Sequence, residues 1–179
     1  MNTGVVATRY AKAIYQYALE KGEEDRIYEA FVALAGNYLR YPELRTVLKD
    51  PTVSDKHKSE VLLTACGSSF GETLRNVIHL ILKNGRIDYL ENITWVYEEY
   101  YRKFKEIVIA KLTTVNSADE EIKKELVDVI SRITQHQVEF HTVINPDIIG
   151  GFVLEIENKL LDASVKTQLN RMRTDLIKH

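Results

Sequence analysis

The stretch Ile148-Ile149-Gly150-Gly151-Phe152-Val153-Leu154-Glu155-Ile156-Glu157-Asn158-Lys159-Leu160-Leu161-Asp162-Ala163-Ser164-Val165-Lys166-Thr167-Gln168-Leu169 carries several local signals in close succession. Phe152, Leu154 and Ile156 alternate with Val153, Glu155 and Glu157, which is the period of a strand with one covered face. Glu157-Asn158-Lys159 reads as a turn, after which Leu160-Leu161 resumes a strand. Ser164 can cap a final helix with Val165, Leu169, Met172 and Leu176 turned inward. A phosphate-cradling loop needs its glycines between a strand and the N-terminus of a helix. Gly150-Gly151 instead precedes a strand, so the pair reads as a bulge or a close approach of two backbones.

Upstream, Ile107 to Val115 is rich in β-branched residues and predicts another strand. Ser117 with Glu120 forms a capping box, opening a helix with Ile122, Leu126, Val129, Ile130 and Ile133 on one face. Val138, Phe140, Thr142 and Ile144 alternate with Glu139 and His141 in a further strand. Residues 106–179 therefore read as strand, helix, strand, strand, helix.

Residues 1–105 show only the helical period. A first helix carries Ala7, Tyr10, Ala11, Ala13, Ile14, Tyr17 and Ala18, with Arg9, Lys12, Gln16 and Glu20 as its polar face and Gly22 as its stop. A second carries Ile27, Ala30, Phe31, Leu34, Ala35 and Tyr38. A short third carries Leu44, Val47 and Leu48 and ends at Asp50-Pro51, because a residue before proline avoids the helical region. Ser54 or Asp55 caps a fourth that runs through Ala65. Gly67, Ser68, Ser69 and Gly71 mark a break. A fifth has Phe70, Leu74, Val77, Ile78 and Ile81 on one face and the Asn84-Gly85 stop signal. A sixth carries Leu90, Ile93, Tyr97, Tyr100 and Phe104. The expected fold is α+β: a six-helix bundle over 1–105 and a small α/β domain over 106–179.

Composition narrows the function classes. Lys and Arg number 24 against 26 Asp and Glu, so the basic excess expected of a nucleic-acid binder is missing. No apolar run approaches the length that crosses a bilayer. The single cysteine, Cys66, has no partner for an internal disulfide and reads as a small buried hydrophobe. None of His57, His79, His136, His141 and His179 stands at a metal-ligand spacing backed by a second ligand. Glu23-Glu24, Glu98-Glu99 and Glu120-Glu121 are adjacent on helices and point apart. Ser68-Ser69 lacks the nucleophile-elbow pattern. No catalytic residue, cofactor or metal ligand is assigned.

The positive clue to function is the first helix. Its apolar positions cover more than half of the circumference at ~100° per residue, wider than one packing face needs. Either it lies centrally and is covered all round, or part of it stays open as a groove for another amphipathic helix.

Three stretches carry a family resemblance: Arg9-Tyr10-Ala11-Lys12-Ala13-Ile14, Asn84-Gly85-Arg86, and Ile148-Ile149-Gly150-Gly151-Phe152 with Asp162-Ala163-Ser164-Val165 and Leu169. With the element order, they resemble the delta subunits of F-type ATP synthases, whose mitochondrial counterpart is the oligomycin-sensitivity-conferring protein. The family often has glycine where Ala163 stands, so alanine implies an ordinary turn rather than a positive φ.

The resemblance implies a non-catalytic stator subunit, monomeric in isolation and present once per complex. It implies no nucleotide and no metal. The complex would hold it at the cytoplasmic face of the cell membrane, with membrane contact only through its partners. Its helical part would bind the N-terminal helix of an alpha subunit on the catalytic head. Its C-terminal part would meet the b subunits of the peripheral stalk, so that the head resists rotor torque. Carried onto this chain, the groove residues are Tyr10, Ala13, Ile14 and Tyr17 of the first helix and Leu74, Val77, Ile78 and Ile81 of the fifth. The competing class is a two-domain regulatory protein with a small ligand at Gly150-Gly151.

Overall fold

The computed structural model describes residues 3–67, 71–116, 120–157 and 159–177. The fold is mixed α+β, and the chain divides into two compact units, Met1–Phe104 and Lys105–His179. The expected capping residue Ser117, the loop pair Ser68-Ser69, the apolar Phe70, the turn residue Asn158, the side chain of Leu176 and the terminal His179 lie outside the described residues.

The first unit contains α1 (Thr3–Lys21), α2 (Glu24–Arg40), α3 (Glu43–Lys49), α4 (Asp55–Ala65), α5 (Glu72–Lys83) and, after a 3-10 turn at Ile87–Tyr89, α6 (Leu90–Lys105). The helix ends follow from local chemistry. Gly22 closes α1 at φ +66 and lets the Glu23 N–H reach the Ala18 carbonyl at 3.0 Å. Gly85 does the same for α5 at φ +60, with the Arg86 N–H on the Ile81 carbonyl at 2.9 Å. The Ser54 hydroxyl accepts from the His57 N–H and caps α4. Asp50 turns to extended backbone before Pro51 and ends α3.

The interior of this unit gathers Phe31 and Leu34 of α2, Leu62 of α4, Leu74, Ile78 and Ile81 of α5, and Leu90, Ile93 and Tyr97 of α6, each essentially without solvent exposure. Burying one such side chain is worth about 1.5–3 kcal/mol. The inner face of α6 differs from expectation. Tyr101 is buried, whereas Tyr100 is half-buried and Phe104 is exposed, stacked on Tyr15 of α1 at 5.1 Å. Tyr101 gains a hydroxyl bond of 2.8 Å to the Asp25 carboxylate and a stacked ring at Tyr28, polar and aromatic partners that periodicity does not reveal. Arg45 of α3 ties three helices. Its Nε donates to Glu91 of α6 at 2.8 Å, a second nitrogen grips the other oxygen of that carboxylate, and a third contact reaches the Tyr38 carbonyl of α2 at 2.9 Å.

The second unit contains β1 (Ile107–Thr114), α7 (Glu120–Thr134), β2 (Gln137–Ile144), a 3-10 turn at Pro146–Ile148, β3 (Phe152–Ile156), β4 (Lys159–Asp162) and α8 (Val165–Ile177). The sheet order is β2-β1-β3-β4. β1 and β2 are parallel, with Ala110 opposite Phe140, and α7 makes the crossover. β3 runs antiparallel to β1, with Leu154 opposite Leu112, and pairs with β4 as a hairpin. Ala110, Leu112, Ile130 and Leu154 form the core.

Two expected inner faces are corrected. On α7 only Ile130 is buried and Leu126 is half-buried, while Ile122, Val129 and Ile133 are exposed. On α8, Leu169 and Met172 are exposed. A four-stranded sheet offers one helix a narrow contact, so an apolar stripe wider than that contact stays partly in solvent. Ile144, the last residue of edge strand β2, is likewise exposed.

Gly150-Gly151 is a close backbone approach. A Cβ on Gly151, whose φ is +72, would overlap the Ala163 carbonyl oxygen and lie 3.3 Å from the Ser164 Cα; one on Gly150 would sit 3.0 Å from the Val165 side chain. Ala163 has no positive φ. Ser164 caps α8 by accepting the Thr167 N–H at 3.2 Å, and Asp162 accepts from the Ser164 N–H and the Thr167 hydroxyl.

Gly151→Ala lowers the stability of the second unit by more than about 2 kcal/mol in calorimetry, since it combines a backbone overlap with a strained φ. Hydrogen bonds from Arg45 hold the Glu91 carboxyl below its ordinary range, and those from Ser164 and Thr167 do the same for Asp162. A lowered folded-state pKa contributes stability above the ordinary carboxylate range that is lost as pH falls through the folded value. The melting temperature therefore drops on acidification, and Glu91→Gln and Asp162→Asn each lower it at neutral pH and flatten its acid limb.

Candidate functional site

α1 is not covered all round. Ala7, Ala11, Ile14, Tyr15 and Ala18 face the interior, while Val6, Tyr10 and Tyr17 are half-buried and Ala13 is exposed. Tyr15 is an interior residue outside the expected apolar stripe of α1, its ring packed against Tyr97, Tyr100 and Phe104 of α6. Three of the buried positions are alanines, so α1 can seat closely on its neighbours along one side. The other side, together with α5, forms a groove of about 590 Å³.

Val6, Ala13, Ile14, Val77 and Leu80 supply the apolar lining of this groove, with Leu80 48% exposed. A leucine this open, in a helix whose other large apolar residues are buried, marks the surface that is left uncovered. Two hydrogen bonds tie the walls together. Asn84 Nδ2 donates to the Tyr10 hydroxyl at 3.1 Å, and Asn76 Nδ2 donates to the Tyr17 hydroxyl at 3.2 Å. Tyr10 and Tyr17 lie about two turns apart on α1, as do Asn76 of α5 and its C-cap residue Asn84. The pairing therefore makes the helices antiparallel and sets their separation at both ends. Arg9 and Arg86 line the groove at the Tyr10–Asn84 end.

Of the eight residues expected here, Tyr10, Ala13, Ile14, Tyr17 and Val77 line the groove. Leu74, Ile78 and Ile81 do not; they are buried in the interior of the unit. Apolarity selects the interior face of α5, and the groove-facing stripe lies one position away, at Asn76, Leu80 and Asn84. Two of those three are polar, so a search for hydrophobic spacing passes over them. The available signal was Leu80 itself, a large apolar residue outside the interior stripe.

The competing site at Gly150-Gly151 is filled by the chain. The Gly150 carbonyl accepts the Val165 N–H at 2.9 Å, and the Ser164 hydroxyl takes the Thr167 N–H, so these two donors at the start of α8 are already taken. Cys66 is buried and its thiol is pushed up to about 12 by desolvation, which removes nucleophilic character at neutral pH. Among the described residues no group of three or more His, Cys, Asp or Glu side chains is placed to hold a metal ion. No described helix is long and apolar enough to cross a membrane.

The helical unit of this α+β chain thus carries an open, apolar groove walled by two helices. Comparison with known proteins is specific. The sequence profile of the ATP synthase delta (OSCP) subunit matches residues 6–176. The chain is 47% identical over 177 residues to the ATP synthase subunit delta of Azobacteroides pseudotrichonymphae genomovar. CFP2, covering 98% of this chain and 100% of that protein. It is 41% identical over 180 residues to the subunit delta of Bacteroides thetaiotaomicron, covering 99% and 96%. A chain in the cryo-EM structure of the Toxoplasma gondii mitochondrial ATP synthase hexamer shares the fold, with a TM-score of 0.67 at 20% identity over 96% of this chain and 97% of that one. The chain belongs to the ATP synthase delta (OSCP) subunit family. It is a non-catalytic stator subunit of that complex, not an enzyme on its own, and the regulatory ligand-binding alternative is not supported.

The two interhelical bonds join half-buried tyrosines to exposed asparagines, so Tyr10→Phe with Tyr17→Phe is expected to cost no more than about 1–2 kcal/mol in total by urea denaturation, leaving the fold intact. Cys66 should react with a thiol reagent only at the rate of unfolding, which a denaturant series measures.

Proposed function

We propose that the groove between α1 and α5 receives the N-terminal helix of the alpha subunit on the catalytic head. Residues 1–105 act as a six-helix bundle for that purpose. Residues 106–179 meet the b subunits of the peripheral stalk, at the cytoplasmic face of the membrane. One copy so placed joins head to stalk and transmits the restraining force that keeps the head from turning with the rotor during proton-driven ATP synthesis.

The observation that carries the reading is the exposed apolar lining, above all Leu80 and Ala13 between two tyrosine–asparagine braces. Ala13 leaves room where a larger side chain would fill the groove. An amphipathic helix laid there would cover Leu80 and Val6 with its apolar face, in the groove-docking mode of helix recognition. Hydrophobic contact gives such a complex its affinity, while the braced walls avoid the entropy of ordering a flexible site.

The test is a titration of the isotope-labelled full chain with a synthetic peptide of the alpha subunit's N-terminal segment. Amide shifts are expected to concentrate at Ala13, Val77 and Leu80. Leu80→Asp, at a solvent-facing position that leaves the interior untouched, should weaken binding by at least about tenfold, or ~1.4 kcal/mol. Absence of saturable binding, or shifts confined to the second unit, would rule the reading out.

A further inference from the structure

The groove is electrically polarised. α1 has no acidic residue in its first turn and none before Glu20. α5 has none after Glu72, its first residue. Acids therefore gather at the Tyr17–Asn76 end, where a smaller cavity sharing those two residues is also lined by Glu23, Glu72 and Lys21. Part of the Glu23 charge there is met by Arg26 at 3.4 Å. The opposite end carries Arg9 and Arg86.

Neither arginine has a carboxylate within ion-pair distance among the described residues. Arg9 is exposed, and Arg86 is half-buried with its guanidinium over the Tyr89 ring at 5.7 Å. Asp88, two residues beyond Arg86, is exposed and is not part of the groove wall. α1 and α5 are antiparallel, so the α5 C-terminus lies at this same end and its dipole opposes that of α1; the positive charge here is that of the two arginines. The Asn84-Gly85 stop fixes where Arg86 leaves α5, because its N–H closes the last turn on Ile81. Two guanidiniums held at one end of an apolar slot, without a carboxylate of their own, match an anionic group that arrives with the occupant.

Resting on the docking reading above, we infer that the helix received by the groove carries an acidic side chain on its edge abreast of Arg9 and Arg86, and that this contact sets the helix's register along the slot. The apolar floor alone, lined by the aliphatic side chains of Val6, Ala13, Ile14, Val77 and Leu80, gives a docked helix no charged reference point along the slot. A charged contact at one end supplies that reference point and excludes helices with a cation at the same place.

The experiment uses the full chain and the alpha-subunit N-terminal peptide, with calorimetry at low and high salt. Arg9→Gln with Arg86→Gln is expected to weaken binding about 5- to 10-fold at low salt and to flatten its salt dependence, with the melting temperature held. One Glu→Gln or Asp→Asn substitution in the peptide should reproduce the loss and add nothing to the double variant. Arg86→Lys, which keeps the charge, should restore part of it. Equal affinity and equal salt dependence for the double variant and the parent, with shifts still at Val77 and Leu80, would overturn the register contact and leave the docking reading standing. A parent chain that fails to bind the peptide overturns the docking reading and this inference with it.

Discussion

α5 puts Thr73, Leu74, Val77, Ile78, Ile81 and Leu82 into the interior of the helical unit, where it packs against α4 and α1. Its aliphatic side chains contribute several kcal/mol in sum by removal from water, and they leave α5 little rotational freedom about its axis. Once that face is turned inward, the neighbouring stripe of Asn76, Leu80 and Asn84 has to face α1 and solvent. The groove is thus a consequence of interior packing. It needs no separate device beyond small residues on α1 and two hydrogen bonds between the walls.

Alanine does two different jobs on α1. Ala7, Ala11 and Ala18 are fully buried and bring the helix close to its neighbours, whereas Ala13 is exposed in the groove. A small side chain in the interior allows close packing, and one on the open side allows room. The same residue type in one periodic pattern therefore carries opposite meanings, and only the rotation of α1 tells them apart. The sheet unit is organised by a different constraint, the approach of Gly151 to the Ala163–Ser164 backbone. It lets β3, β4 and the start of α8 meet with Ser164 and Asp162 satisfying the helix terminus.

Neither unit assembles a reacting group from its described residues, and the buried polar chemistry that exists is structural. Tyr97 donates to the Glu24 carbonyl and Tyr101 to the Asp25 carboxylate, placing hydroxyls from α6 at the start of α2. Burial raises the Tyr97 pKa further from neutrality, which keeps the hydroxyl protonated and donating. Such contacts fix α6 against the start of α2 and stiffen the interior of the helical unit.

The amino-acid sequence by itself determined the elements, their ends and the family. Helical period, Gly22, Asn84-Gly85, Asp50-Pro51 and Ser164 mark boundaries through local dihedral and capping chemistry that needs no distant partner. The family signature at 148–169 was legible for the same reason, since its glycines and cap act within a few residues of one another. Tertiary structure alone decided which side of each helix is covered. Leu74, Ile78 and Ile81 went to the interior and Leu80 to the groove, Tyr101 displaced Phe104, and Leu169 and Met172 stayed in solvent. Periodicity reports how wide an apolar stripe is; what covers it depends on the packing of helices far apart in the chain, which no local pattern encodes.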